Sequence, residues 1–313
     1  MRELKEAAIV VTGGAGFLGT HLVERLVAHG ARRERIQVVR REEYDLRELE
    51  DCAQAVAGKD VVFHLAAKVG GIGFNQQKPG ELFYDNIVMA TQLVEASFRA
   101  GVKKFVGLGT VCAYPKFTPV PFKEDYLWDG YPEETNAPYG LAKKALLTQL
   151  QAYRTQYGFN GVYLLPVNLY GPGDSFDPAR SHVIPALIRK VYEARHGGGP
   201  VEVWGTGRAT REFLYVEDAA EGIVRAAERY DSPMPVNVGS GAEISIKDLV
   251  SLICRLMEYE GEIRWDISKP DGQPRRMLDT TRAEREFAFK ASVSFEEGLR
   301  RTIAWYEAEM AKR

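Results

Sequence analysis

Cysteine is scarce in this sequence, with three residues, Cys52, Cys112 and Cys254, in a chain of 313. Their wide spacing and odd number are typical of reduced thiols in a cytoplasmic protein and argue against a disulfide framework. The sequence also lacks a cluster of cysteine and histidine with the spacing of metal ligands, so we expect no bound metal. Cys52 and Cys254 lie in amphipathic helical patterns, where we expect them to pack in the core.

An excess of charge and long apolar runs are absent as well. Lysine and arginine total 41 against 43 aspartate and glutamate residues, which gives a net charge of −2. This value does not favour binding to nucleic acid or to a membrane surface through bulk electrostatics. No apolar run approaches the roughly 20 residues that a membrane-spanning helix needs, and we expect no signal peptide in the charged segment Met1–Ala8. Any anionic ligand must therefore be bound by local positive groups.

What the sequence does contain is a regular alternation of short apolar strands and amphipathic helices in its first half. The pattern predicts strands at Ala7–Val11, Ile36–Val39, Val61–Leu65, Lys104–Leu108 and Val162–Leu165, and helices at Gly16–His29, Leu46–Val56, Glu81–Ala100 and Asn136–Tyr157. Such alternation is typical of an α/β fold, a Rossmann-type doubly wound parallel sheet with helices on both faces. Ligands of this fold bind at the carboxyl ends of the strands.

A glycine-rich turn joins the first strand to the first helix. Its glycines, Gly13, Gly14, Gly16 and Gly19, satisfy both G-x-x-G-x-x-G and G-x-G-x-x-G. Glycines allow backbone N–H groups to approach a pyrophosphate, and the helix N-terminus adds partial positive charge. The alternative is a tight turn without a ligand, but the flanking strand and helix favour a dinucleotide site that includes Phe17 and Leu18.

The end of the second strand indicates which dinucleotide is bound. An NAD site places an acidic residue there for the ribose hydroxyl, whereas this strand ends in Arg40-Arg41. Guanidinium groups suit a 2′-phosphate, so we expect NADPH rather than NAD, with Arg40 as the better candidate. The alternative is an exposed basic pair on a loop, and the neighbouring Glu42 and Glu43 keep that alternative open.

The pattern changes after Tyr170, where a turn at Gly171–Asp174 precedes mixed short strands and helices. We therefore expect two domains. Residues 1–170 mainly form the dinucleotide-binding domain, to which the chain returns around 205–240, and residues 171–313 mainly form a smaller mixed α/β domain for the substrate. Ser245 is the expected N-cap of a helix at Ile246–Met257.

Tyr139 and Lys143 stand four residues apart in the longest predicted helix, which places them on one face. An ammonium near a phenol stabilises the phenolate, so we expect the pKa of Tyr139 to fall below its usual value of about 10. Tyr139 would then exchange protons with a carbonyl or alcohol, while Lys143 holds the nicotinamide ribose. The alternative is a pair of surface neighbours. Thr110, at the end of the fourth strand, offers a hydroxyl to the same oxygen.

Two further residues are ambiguous by spacing alone. Cys112 follows the fourth strand, where a thiol near cations can act as an acid or base, but a lone cysteine is usually a small buried hydrophobe. His182 is the side chain type best matched to proton transfer near neutral pH, yet by itself it is an ordinary histidine. The residues themselves leave both roles open.

At several stretches the sequence resembles the extended short-chain dehydrogenase/reductase family. The resemblance runs over nearly the whole chain, and its most specific stretches are Ala66–Ile72, Cys112–Pro115, Asn136–Lys143, Asn168–Pro172, Ser181–Leu187, Trp204–Gly207 and Arg211–Phe213. The resemblance implies an NADPH-dependent epimerase/reductase that acts on a nucleotide-linked 4-keto-6-deoxy sugar. The substrate that the resemblance favours most is GDP-4-keto-6-deoxy-D-mannose. It also implies a homodimer that packs through the helices at Glu81–Ala100 and Asn136–Tyr157.

The resemblance also implies roles for individual residues. Thr110, Tyr139 and Lys143 match the family's catalytic set, and Cys112 and His182 match its epimerisation base and acid. The implied sugar-nucleotide contacts are Asn168, Val183, Lys190, Trp204, Arg211, Asp271 and Arg276. Beyond the glycine-rich turn and Arg40, the implied cofactor contacts are Asp45, Leu46, Leu65, Ala66, Ala67, Lys143, Pro166, Asn168, Leu169 and His182.

Two alternatives to this function remain at the level of sequence. A redox-neutral nucleotide-sugar epimerase of the same fold would keep NAD(P) tightly bound and consume no NADPH. A non-catalytic dinucleotide-binding regulator is a remote alternative, because such proteins tend to lose the catalytic tyrosine or lysine. A 4,6-dehydratase is disfavoured, since Val111-Cys112 follow Thr110 where those enzymes usually have Asp-Glu.

Overall fold

A computed structural model describes residues 4–70, 72–178, 181–269 and 271–312. The strands are β1 Ile9–Thr12, β2 Ile36–Val39, β3 Val61–His64, β4 Lys104–Leu108, β5 Gly161–Pro166, β6 Asn168–Tyr170, β7 Val201–Trp204, β8 Thr210–Tyr215, β9 Val236–Val238, β10 Glu243–Ser245 and β11 Ile263–Asp266. The helices are α1 Phe17–Ala28, α2 Leu49–Val56, α3 Ile72–Gln77, α4 Pro79–Arg99, α5 Ala137–Tyr157, α6 Val183–Gly197, α7 Val216–Arg229, α8 Ile246–Leu256, α9 Thr281–Phe287 and α10 Phe295–Ala311.

The principal sheet has six parallel strands in the order β2-β1-β3-β4-β5-β9. Its central strands β1, β3 and β4 are mostly apolar, and all their residues are buried because helices cover both faces of the sheet. The strand order reverses between β1 and β3, which is the crevice where a doubly wound sheet binds its ligand. The predicted fold class is confirmed.

Helices cover the sheet in two groups. Helix α1 packs with α7, while α4 packs against both α2 and α5. Helix α2 begins at Leu49 rather than at the predicted Leu46, because Asp45–Glu48 forms a turn in which the Glu48 N–H donates to the Asp45 carbonyl. The predicted cap at Ser245 is present, and its hydroxyl accepts from the Asp248 N–H at 3.0 Å.

Two hydrophobic cores organise the molecule. The first lies around the six-stranded sheet, and it includes the later residues Leu278, Phe287 and Phe289. The second lies among α6, α8, α10 and two small sheets, ordered β10-β8-β6 and β11-β7. Within the described ranges, no helix is long and apolar enough to cross a membrane. The cleft between the two cores is where residues from both halves of the chain meet.

Candidate active site

The turn between β1 and α1 is built so tightly that only glycine fits at two positions. Gly13 has φ +70°, and a Cβ there would lie 2.8 Å from the Ala66 nitrogen at the end of β3. A Cβ on Gly19 would lie 2.2 Å from the Gly13 carbonyl oxygen. The turn therefore rests directly on Ala66 and on its own helix, which is the close packing that a dinucleotide-binding turn requires.

Thr12 and His64 form a buried hydrogen-bonded pair beneath this turn, and the sequence patterns did not predict it. The Thr12 hydroxyl lies 2.9 Å from His64 Nδ1 and accepts from the Ala66 N–H at 3.3 Å. Burial, reinforced by the charge of Lys143, lowers the pKa of His64 to about 3. The imidazole is thus neutral at physiological pH, and it ties the carboxyl ends of β1 and β3 together. A polar residue ending each of two adjacent apolar strands was the available sequence signal.

The end of β2 presents its arginine to solvent. Arg40 is exposed, and its guanidinium makes no ion pair with any described residue. Asp45 instead faces Arg47, whose Nε lies 2.9 Å from Oδ1, and this hydrogen bond lowers the pKa of Asp45 to about 2. Leu46 is buried in the first core, so its side chain points away from solvent. Of these three predicted cofactor contacts, only Arg40 has a polar side-chain group that is not already bonded to a described residue.

The remaining predicted cofactor contacts lie at the ends of β3 and β5. Leu65, Ala66 and Ala67 follow β3 and are partly buried. Pro166 ends β5, Leu169 belongs to β6, and both are partly buried. These residues all lie at the carboxyl edge of the sheet, as the predictions require.

Helix α5 carries Tyr139 and Lys143 into the cleft. The Lys143 ammonium lies 6.0 Å from the centre of the Tyr139 ring, and the lysine is buried. Burial lowers the pKa of Lys143 to about 8. Burial also raises the pKa of Tyr139, with a smaller contribution from Cys112. The predicted fall in the pKa of Tyr139 is therefore wrong for the protein alone, because burial of the phenol outweighs the neighbouring ammonium.

Cys112 lies within a single 3-10 turn, Val111–Ala113, immediately after β4. Thr110 caps this turn, and its hydroxyl accepts from the Cys112 N–H at 3.2 Å. A Cβ on Gly140 would lie 2.6 Å from the Cys112 carbonyl oxygen, so α5 packs directly on the turn. Cys112 and Tyr139 are thereby neighbours, close enough for the sulfur's charge to raise the pKa of Tyr139.

The sulfur of Cys112 does not point into an apolar interior. The residue is partly buried, and Arg276 Nη1 lies 3.7 Å from its Sγ. Since Arg276 comes from a segment 164 residues further along the chain, this contact could not be read from local spacing. Cys112 also packs against the first hydrophobic core, so its surroundings are apolar on one side and charged on the other.

A pocket of about 380 Å³, open to solvent, lies where α6 begins and includes Arg211, a neighbour of Arg276. Its lining includes five predicted site residues and three apolar neighbours: Asn168, Leu169, His182, Val183, Arg211, Ile184, Pro185 and Phe213. His182 is the N-cap residue of α6, and desolvation by the surrounding protein lowers its pKa although its side chain is open to the cleft. The Asn168 amide donates to the Glu212 carbonyl at 3.0 Å, which fixes its orientation.

Positive charge is concentrated at one side of the pocket. Burial and, to a smaller extent, the charge of the neighbouring Arg276 lower the pKa of Arg211 to about 10. Arg211 Nη1 donates to the carbonyls of Thr210 at 2.7 Å and Gln273 at 2.6 Å. Two adjacent guanidinium groups that repel each other form a favourable site for a dianion such as a diphosphate.

The other predicted substrate contacts, Lys190, Trp204 and Asp271, do not line this pocket and contact other parts of the protein. Lys190 donates to the Glu202 carbonyl at 2.8 Å, and burial lowers the pKa of Lys190. Trp204 is 65 % exposed, and the Lys269 ammonium lies 5.5 Å from its ring centre. Asp271 accepts from the Thr206 N–H at 2.6 Å and hydroxyl at 2.7 Å, and these bonds lower its pKa.

Together these features are typical of a dinucleotide-dependent enzyme. Residues 9–239 match the NAD dependent epimerase/dehydratase family, and the chain belongs to that family. It is 40 % identical to the probable GDP-L-fucose synthase 1 of Oryza sativa subsp. japonica, over 96 % of this chain and 92 % of the relative. It is 38 % identical to the GDP-L-fucose synthase of Sinorhizobium fredii, over 97 % and 96 %.

Solved structures resemble the chain over its whole length. A GDP-6-OMe-4-keto-L-xylo-heptose reductase from C. jejuni has a TM-score of 0.90 at 26 % identity, covering 97 % of this chain and 99 % of that protein. A GDP-L-fucose synthetase from Naegleria fowleri, bound to NADP, has a TM-score of 0.89 at 27 % identity, covering 98 % and 94 %. Both similarities extend across the sheet domain and the substrate cleft.

Proposed function

We propose that the protein is an NADPH-dependent epimerase/reductase that converts GDP-4-keto-6-deoxy-D-mannose into GDP-L-fucose. The observation that carries this proposal is the position of Cys112 between Tyr139 and Arg276. Arg211, which lines the pocket with His182, is close enough to both Cys112 and Arg276 for their charges to affect its pKa. A reductase alone needs the tyrosine and lysine, whereas a thiol beside the same site adds a base. The relatives' names support the GDP-linked substrate.

The coenzyme site fits a phosphorylated dinucleotide. Gly13 and Gly19 leave room for backbone approach, and Lys143 is buried. Arg40, which has no ion pair with any described residue, offers its guanidinium for a 2′-phosphate. NADPH, when bound, supplies the hydride that reduces the sugar ketone at C4. Tyr139 donates the proton that the resulting alkoxide requires, and Thr110 donates a hydrogen bond to the same oxygen.

Epimerisation is assigned to the thiol and the imidazole. The ketone at C4 acidifies the C–H bonds at C3 and C5. Cys112, as the thiolate, removes a proton, while Tyr139 and Thr110 stabilise the enolate oxygen. His182 returns a proton to the opposite face of the carbon. The low pKa of His182 makes its protonated form a stronger acid than an ordinary imidazolium.

One assay tests the reaction. Purified protein is incubated with NADPH and GDP-, dTDP- and CDP-linked 4-keto-6-deoxy sugars, and the product's stereochemistry is determined by NMR. We expect one NADPH oxidised for each GDP-L-fucose formed from GDP-4-keto-6-deoxy-D-mannose. Product formation without NADPH oxidation would instead establish the redox-neutral epimerase, which the relatives do not favour.

The Cys112→Ser variant tests the base assignment within the same assay. We expect epimerisation to fall by roughly 10²- to 10⁴-fold, because a serine hydroxyl is a far weaker acid than a thiol. A bound ketone should still be reduced, so the product should retain the D-manno configuration at C3 and C5. Cys254→Ser, a buried thiol in the second core, is the matched control. Normal epimerisation by Cys112→Ala would refute the assignment.

We also propose a homodimer in the cytoplasm. The faces of α4 and α5 supply the support for an interface, because Phe83, Tyr84 and Tyr157 are 41 %, 59 % and 47 % exposed. The cytoplasmic location remains a prediction from the scarcity of cysteine.

A further inference from the structure

The segment 271–279, here called the bridging arm, runs between the two halves of the molecule. On one side it pairs with β8, where the Thr210 and Glu212 N–H groups donate to the carbonyls of Pro274 at 2.9 Å and Arg276 at 3.1 Å. On the other side the Phe122 N–H donates to the Met277 carbonyl at 2.8 Å. The backbone of the arm is therefore fixed from both halves.

Gln273, on this arm, uses both ends of its side-chain amide. Its Nε2 donates to the Lys116 carbonyl at 2.9 Å, in the segment that follows Cys112. Its Oε1 accepts from Arg276 Nε at 3.2 Å and Nη2 at 3.0 Å. The donor end must face a carbonyl and the acceptor end a guanidinium, so the orientation of the amide is determined. Gln273 thus connects the Cys112 segment with Arg276.

Arg276 has one edge left after these bonds. With Nε and Nη2 bound to Gln273, Nη1 lies 3.7 Å from Cys112 Sγ. A guanidinium stays charged at any working pH, and a fixed positive charge beside a sulfur favours the thiolate over the thiol. Because the guanidinium is planar and rigid, hydrogen bonds that fix Nε and Nη2 also fix the direction in which Nη1 points. Gln273 therefore controls where the charge of Arg276 lies relative to the sulfur.

We propose that Gln273 is a positioning residue that aims Arg276 at Cys112, and that Arg276 is the counter-charge of the thiolate during epimerisation. The proposal rests on the function proposed above. In the step concerned, the C–H bond beside the ketone breaks, its proton forms an S–H bond on Cys112, and the electron pair moves to the C4 oxygen as an enolate. His182 then gives its N–H proton to the opposite face of the carbon, and water resets both groups.

The measurement separates this step from reduction. With NADP⁺ in place of NADPH, the rate at which solvent deuterium enters C3 and C5 of GDP-4-keto-6-deoxy-D-mannose reports proton transfer, and it is followed by NMR. Reduction is measured separately, with NADPH and the ketone already inverted at C3 and C5. A general loss of structure would lower the maximal rates of both deuterium exchange and ketone reduction. Misplacement of Arg276 would lower only the maximal rate of exchange.

We expect Gln273→Leu to lower the maximal exchange rate by roughly 10- to 100-fold, with the KM for the sugar nucleotide and the reduction rate within about 2-fold of wild type. Arg276→Met should lower exchange at least as much, and Arg276→Lys, which keeps the charge, should restore part of it. Gln151→Leu is the matched control, because Gln151 makes a single surface bond to the Pro233 carbonyl.

Two results would overturn the proposal. The first is wild-type maximal exchange in both Gln273→Leu and Arg276→Met. The second is a rise in KM alone in Arg276→Met, which would make Arg276 a substrate contact without an effect on Cys112. A wild-type enzyme that reduces the ketone but exchanges no deuterium would instead refute the proposed epimerase function, so the two failures are distinguishable.

Discussion

Tyr139 illustrates how the surroundings of a residue decide its chemistry. Its pKa lies above the usual value because the phenol is buried, so it is fully protonated at neutral pH. That state suits a proton donor to an alkoxide, which is the role that reduction of a ketone requires. Lys143, with a pKa of about 8, remains mostly charged at pH 7 and can resupply the proton. In the proposed mechanism the pair can therefore supply the proton that reduction of the ketone requires.

The Tyr139→Phe variant tests this role. We expect ketone reduction to fall by roughly 10²- to 10⁴-fold, because phenylalanine fills the same space without a proton to donate. NADPH affinity, measured by fluorescence titration, should change by less than about 2-fold, since no backbone contact is lost. Tyr157→Phe is the control, because Tyr157 ends the same helix α5 and is exposed. A Tyr139→Phe enzyme that reduces the ketone at the wild-type rate would contradict the assignment.

Residues that act through distant partners were the hardest to predict. The spacing of Tyr139 and Lys143 is local, so sequence alone placed them on one face of a helix. The role of Cys112 depends on Arg276, which lies 164 residues away along the chain, and Gln273 contacts Lys116, which lies 157 residues away. No periodicity encodes such contacts, and for Cys112 only the family resemblance suggested a role. For Gln273 the sequence held no comparable indication.

Elements with strong local patterns were predicted closely. The bounds of β2 and β4 match the expected Ile36–Val39 and Lys104–Leu108, because each is an apolar run between polar residues. The three-residue strands β6 and β10 were not predicted, since each exists only by pairing with β8. The predicted start of α2 at Leu46 was also wrong, because residues 45–48 form a separate turn and the helix begins at Leu49.

The contact between α1 and its preceding turn gives a test at the level of elements. A methyl group at position 19 would lie 2.2 Å from the Gly13 carbonyl oxygen, so Gly19→Ala must push the helix away from the turn. We expect an NADPH affinity at least 10-fold weaker, which is about 1.4 kcal/mol, and a loss of roughly 1–3 kcal/mol in the free energy of unfolding.

Gly80→Ala is the control for this substitution, because Gly80 lies in the first turn of α4 and an added Cβ meets nothing within 4 Å. There the free energy of unfolding should stay the same or rise by up to about 1 kcal/mol. NADPH titration and urea unfolding measure both variants. Wild-type NADPH affinity in Gly19→Ala would show that the close packing of this turn is not needed for the coenzyme.

The molecule as a whole is held together by contacts that cross between its two cores. Glu212, in β8, is buried and accepts from the Leu278 N–H at 2.6 Å and the Gly241 N–H at 2.8 Å. The sequence indicated that the chain crosses between two halves around 205–240. It gave no indication that Leu278–Phe289 also returns to the first core, because that segment has no pattern distinguishing one core from the other.

Global stability should depend on pH through Asp174, in the loop that leaves β6. Asp174 is 9 % exposed, its Oδ1 accepts from the Ser175 N–H at 2.7 Å, and its buried Oδ2 has no hydrogen-bond partner among the described residues. Burial raises the pKa of Asp174 from 3.8 to about 6. Between these values the folded protein keeps a proton that the unfolded chain has released. Stability from this group is therefore greatest below pH 3.8 and is lost as pH rises through 6.

The Asp174→Asn variant removes this titration and keeps an oxygen for the Ser175 N–H. We expect the free energy of unfolding of wild type, relative to Asp174→Asn, to decrease by up to about 3 kcal/mol between roughly pH 4 and pH 7, then to become constant. Urea unfolding across that pH range measures the difference in free energy of unfolding between wild type and variant. Asp129→Asn, which removes an exposed carboxylate, is the control, and its difference from wild type should be nearly constant across the range. If the difference for Asp174→Asn were equally constant, the carboxyl group would already be ionised in the folded protein at pH 4, and solvent would have to reach Oδ2.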